Sequence, residues 1–214
     1  YSDPRLELDF NNNWKFNLGD EDGAYAKAYD DSAWQTVELP HDFSIIQNFS
    51  TDGTDAESGN LPGGVGWYRK MFILPTEYKD RRIIINFDGA YNHTEVYVNG
   101  TLVGENHYGY NAFSFDITDY VDCNGVSVNF ICVRVENQFP SSRWYSGSGI
   151  YRDVTMTVIN PVHVDLYGTY VTMPNLETSS GSDGTLDAKV TLANDDANSN
   201  TVTVETKILD ASGA

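Results

Sequence analysis

Val96-Tyr97-Val98-Asn99-Gly100-Thr101-Leu102-Val103 is the stretch on which the fold class turns. Two runs rich in β-branched and aromatic residues flank an Asn-Gly pair. The two-residue turns that match the natural twist of paired strands need φ > 0 at both central positions, which Asn and Gly tolerate best. The segment therefore predicts a tight antiparallel hairpin. Outward from it, runs of similar composition recur at Trp67 to Leu74, Arg81 to Phe87, Thr94 to Val98, Phe113 to Ile117, Val126 to Val135 and Arg152 to Ile159, separated by Gly, Asn and Asp clusters. Val126, Val128, Phe130 and Cys132 share one face of their run, and Ile131, Val133 and Val135 make the other face apolar too. Such a strand is expected in the middle of a sheet. No stretch carries a helical period, so residues 1–160 read as an antiparallel all-β sandwich.

Pro161 marks a boundary. Beyond it, Val162 to Met173, Thr185 to Leu192 and Thr201 to Leu209 read as three more strands. In the last two, Leu186/Ala188/Val190/Leu192 and Val202/Val204/Thr206/Ile208 alternate with polar residues, the pattern of a sheet with one buried face. Residues 161–214 are thus expected to form a three-stranded sheet with one apolar face. Its uncovered face and unpaired edge make it a candidate surface for homo-oligomer formation.

The 214 residues carry 13 Lys and Arg against 31 Asp and Glu, a net charge of −18. A surface this acidic repels nucleic acid and anionic membranes, which excludes both as partners. Hydrophobic residues at 40% and aromatics at 13% are enough for a packed core rather than a disordered chain. No apolar run reaches the ~18 residues of a membrane span. Cys123 and Cys132, nine apart in the sequence, read as free thiols, with Cys132 a small buried hydrophobe.

Several segments together resemble a known family. They are Asn13-Trp14-Lys15-Phe16, read as the first strand; Asp31-Ser32-Ala33-Trp34 running into Leu39-Pro40-His41-Asp42; Gly66-Trp67-Tyr68-Arg69-Lys70; Phe87-Asp88-Gly89-Ala90 leading to Val96 through Gly100; and the run Ser141 to Asp153. In that order, over residues 10 to about 160, they resemble the amino-terminal sugar-binding domain of glycoside hydrolase family 2, most closely its β-galactosidase branch. The resemblance implies a galactose-binding-like jelly roll over 1–160, followed by the first strands of an immunoglobulin-like domain over 161–214. It implies that the partners are a terminal β-galactoside and the enzyme's own catalytic (β/α)₈ barrel. The barrel would carry the carboxylate pair of a retaining glycosidase. On this reading the chain holds no catalytic residue and needs no cofactor. The resemblance also implies a bacterial protein of the cytoplasm, or of the periplasm or exterior if a leader has been trimmed. Rival readings are the same architecture in a β-glucuronidase or β-mannosidase, a stand-alone carbohydrate-binding module, and an adhesin-like structural sandwich.

The substrate-binding candidates are Arg143, Trp144 and Tyr145. Two readings stand for them. A guanidinium can give paired hydrogen bonds to sugar hydroxyls and an indole can stack on a sugar ring, as the resemblance implies for this loop. The same groups can equally pin the domain to the barrel. The family's sodium-linked Asp has no counterpart near Arg143, so no metal site is expected there. Pro40-His41-Asp42 reads as a turn in which the carboxylate orients the imidazole. His93, His107 and His163 show no metal or catalytic spacing. The Gly59–Gly66 loop precedes a strand rather than a helix, which excludes a phosphate cradle. Asn48, Asn92 and Asn99 head glycosylation sequons, and turn geometry alone accounts for Asn99.

Overall fold

The computed structural model describes residues 4–52, 54–139, 147–177 and 184–213. It divides into two compact units, Tyr1–Asn160 and Pro161–Ala214. The strands are β1 (Arg5–Asp9), β2 (Trp14–Leu18), β3 (Gln35–Val37), β4 (Gly64–Phe72), β5 (Arg82–Phe87), β6 (His93–Val98), β7 (Thr101–Asn106), β8 (Phe113–Asp116), β9 (Asn129–Asn137), β10 (Val154–Ile159), β11 (Val162–Thr172) and β12 (Asp187–Asn194). Among the described residues the only helical pieces are 3₁₀ turns at Thr76–Tyr78 and Thr118–Tyr120.

The first unit is an antiparallel sandwich of jelly-roll type. One sheet runs β1-β10-β5-β8 and the other β3-β2-β4-β9-β6-β7. Period-two burial explains the layering. Ile83, Ile85 and Phe87 of β5 and Val154, Met156 and Val158 of β10 face Val96 and Val98 of β6 and Ile131, Val133 and Val135 of β9 in one continuous core. Strand β9 lies between β4 and β6, and both of its faces are covered. Cys132, on the outer face, packs with Ala24, Trp34 and Trp67 beneath the 20–34 loop. Arg69 on β4 fastens that loop. Its fully buried guanidinium holds Asp31 at 2.8 Å, the Ala26 carbonyl at 3.1 Å and the Cys132 sulfur at 3.0 Å. Cys123 and Cys132 are both free thiols.

The Asn99-Gly100 turn forms as its sequence predicts, with φ of 50° and 88°. The Asn99 amide is committed to the fold: it donates to the Tyr120 carbonyl and to Asn129 Oδ1, and its oxygen accepts the Phe130 N–H.

Several boundaries differ from the sequence reading, among them that of β4, which reaches back to Gly64 inside the glycine-rich loop. A strand, β1, precedes Trp14 and pairs with β10. Val126 and Val128 lie outside β9, because Asn124 caps the Val126 and Ser127 N–H groups in a turn with Gly125 at φ 76°, which leaves Val126 exposed. In the second unit β11 and β12 form an antiparallel pair with a bulge between Val164 and Thr169, whereas residues 201–209 form no strand. Their alternation suits a sheet face, but a strand also needs a neighbouring ladder for its N–H and C=O groups, and alternation supplies none.

Candidate functional site

Arg143, Trp144 and Tyr145 lie outside the described residues, and the segments on either side of them form two stems. The incoming stem is the end of β9. There Asn137 pairs with Gly64 of β4, and Gly63 packs so close that a Cβ on it would stand 2.3 Å from the Asn137 carbonyl. Pro62, Gly63, Gly64, Asn137, Gln138 and Phe139 line a cleft of about 260 Å³ at its foot.

The outgoing stem, Gly147 to Ile150, is threaded between two extended segments. On one side the His41 N–H donates to the Ile150 carbonyl and the Phe43 N–H to that of Ser148. On the other, Tyr91 and Gly149 exchange both backbone bonds at 2.9 and 3.0 Å. Gly147 and Gly149 carry φ of 87° and 110°, conformations that residues with a Cβ rarely adopt. A Cβ on Gly149 would also run into the Tyr68 hydroxyl.

A buried polar network joins the stems. Asn137 Nδ2 donates to Ser148 Oγ at 2.7 Å, and the Ser148 and Ser44 hydroxyls meet at 2.6 Å. Ser44 donates onward to the Pro62 carbonyl at 2.5 Å. Asp42 Oδ1 accepts the N–H groups of Ser44 (2.9 Å) and Ser148 (3.1 Å). Ser44, Asn137 and Ser148 are buried and Asp42 is half-buried, so these hydrogen bonds fix the two stems against each other.

The expected His41–Asp42 pair does not form. In an extended segment neighbouring side chains point to opposite sides. His41 Nδ1 instead meets the Tyr68 hydroxyl at 2.9 Å, while Asp42 turns to the backbone of Ser44 and Ser148. Burial holds the His41 pKa below its ordinary value, and the Asp42 charge pulls it only partly back. Burial pushes the Tyr68 phenol far above its usual range, against the opposing pull of a hydrogen bond from the Ile150 backbone. A protonated phenol donating to a neutral imidazole matches both directions. Serine, histidine and aspartate therefore lie close together without forming a nucleophile–base–orienter relay, because His41 is engaged with Tyr68, Ser44 and Ser148 with each other, and Asp42 with the backbone.

Asn137 and Ser44 were not singled out from the sequence, and Tyr68 and Ser148 entered it only within longer motifs. The readable hints were a polar Asn closing an apolar strand and the Gly147-x-Gly149 spacing. Tyr151 adds a further tie through its hydroxyl, which donates to the Gly109 carbonyl at 2.6 Å, beside the Tyr91–Tyr110 ring pair. The hairpin β6–β7 also brings His93 beside Glu105 and His107, which lie twelve and fourteen positions further along the chain.

Residues 8–160 match the family model described as glycosyl hydrolases family 2, sugar binding domain, and the chain belongs to that family. It is 40% identical over 98% of its length to a β-galactosidase of Bacteroides ovatus, and 31% identical over 100% of its length to a β-glucuronidase of Formosa agariphila. It covers 24% of each of those relatives. Among solved structures it resembles a β-glycosidase from Bacteroides vulgatus, with a TM-score of 0.83 and 34% identity over 90% of this chain and 25% of that one.

Proposed function

We propose that the chain is the amino-terminal part of a retaining β-galactosidase, and that its 140–146 loop lines the pocket for the terminal galactose. Arg143 hydrogen-bonds the sugar hydroxyls, and Trp144 and Tyr145 supply apolar ring faces. The carboxylate pair that cleaves the bond lies on a barrel domain outside these residues. Residues 1–160 are the sugar-binding domain, and 161–214 begin an immunoglobulin-like domain.

The observation that carries this reading is the double anchoring of the loop through Asn137 and Ser148. A loop fixed at both stems can present side chains to a rigid sugar with little ordering cost. Support for a galactoside comes from the 40% identity to the Bacteroides ovatus β-galactosidase.

The test compares aryl β-galactoside and aryl β-glucuronide as substrates of the full-length protein. We expect kcat/KM to favour the galactoside by ~10-fold or more, and the 214-residue chain alone to turn over neither. The reverse preference overturns the galactoside reading.

A further inference from the structure

We infer that His93, Glu105 and His107 form a binding site for a divalent transition-metal ion of the zinc type, clamping the open end of the β6–β7 hairpin. The placement follows from the fold. Thr94 pairs with Asn106 and Glu95 with Glu105, so one step beyond the ladder brings His93 alongside His107 at the strand ends. His93 and Glu95 alternate with the buried Thr94 and Val96, so both point to the outer face, and the register puts Glu105 on that face as well.

The side chains already stand at ligand spacing. The Nε2 atoms of His93 and His107 lie 3.4 and 3.2 Å from the same carboxylate oxygen, Glu105 Oε2. Zinc bonds of about 2.0–2.1 Å at tetrahedral angles place adjacent ligand atoms ~3.3 Å apart. The three ligand atoms fall within 4.8 Å of one another, and the two imidazoles are stacked at 4.3 Å with planes 21° apart, which aims both nitrogens the same way. Two imidazoles and one carboxylate form the donor set of an open zinc site, with the fourth position left to water. All three residues are partly exposed, which gives an ion an entry path.

The opposite use of the same atoms is metal-free: each imidazole carries its proton on Nε2 and donates it to Glu105. Metal binding requires the other tautomer, with Nε2 bare. The two arrangements are told apart by adding metal.

The tag-free chain, stripped with chelator, is titrated with Zn²⁺ by calorimetry at neutral pH, and Co²⁺ is added separately to read coordination number from its visible spectrum. We expect one equivalent of Zn²⁺ to bind, a low-symmetry Co²⁺ spectrum, and a metal-dependent rise in melting temperature. Separate variants His93→Ala, Glu105→Gln and His107→Gln each weaken Zn²⁺ binding by ~10-fold or more. The exposed His107→Gln variant, whose metal-free melting should match the parent's, keeps the test independent of folding. Absence of saturable binding overturns the inference, and so does any of the three variants binding within threefold of the parent.

Discussion

The hydroxyl of Tyr68 occupies the space where Gly149 would carry a side chain: a Cβ there would stand 2.2 Å from it and 3.0 Å from the His41 carbonyl. Gly149 also sits at φ 110°, where an L-residue is strained. Gly149→Ala should therefore destabilise the chain by about 2–4 kcal/mol through strain and overpacking together. Denaturant unfolding measures this, and a change under about 0.5 kcal/mol, the size of an ordinary surface substitution, would show that the stem is not locked.

Asn137→Ala removes the donor that spans the two stems and leaves the Ser148 hydroxyl short of a partner in a buried setting. The expected loss is about 1–3 kcal/mol. Urea midpoints of the two proteins should differ with unchanged slope, since the network is local and the surface exposed on unfolding stays the same.

His41 makes stability depend on pH. Its pKa is lowered in the folded state by burial, whereas the unfolded imidazole keeps the ordinary value of 6.5. The unfolded chain then takes up a proton before the folded one does. This contribution to stability is present above the unfolded value and is lost as pH falls through it toward the folded value. Melting temperature should drop between about pH 7 and pH 5, and the drop should be smaller in His41→Gln. Equal slopes in both proteins would remove His41 from the account.

Local chemistry made the sandwich legible. Asn99-Gly100 announces its own turn, and the two-faced apolar run at Ile131–Val135 announces a central strand. Features that depend on a distant partner were not legible. Gly149 looks like any loop glycine until Tyr68 is brought against it from β4, eighty-one positions away in the chain. Glu105 joins His93 only through hairpin register. Val126 and Val128 continue an apolar pattern but lose the strand to the Asn124 turn, and residues 201–209 have the alternation of a strand without a ladder.

The two units should differ in autonomy. Residues 1–160 enclose a complete core, whereas Gly168 is the only buried residue among the described residues of 161–214. A chain ending at Asn160 should melt cooperatively within about 4 °C of the longer one, a shift worth ~1 kcal/mol at this size. The 161–214 segment alone should show no cooperative transition. Sedimentation should find self-association only in the longer chain, which carries the exposed apolar Val171, Leu192 and Ile208.

The central claim is that the anchored loop presents Arg143 to the sugar, and kinetics of Arg143→Ala in the full-length enzyme test it most directly. Loss of a charged hydrogen bond to substrate should lower kcat/KM for an aryl β-galactoside by about 10–100-fold while leaving the melting temperature unchanged. An activity within twofold of the parent's, or a loss fully explained by lowered stability, would contradict it.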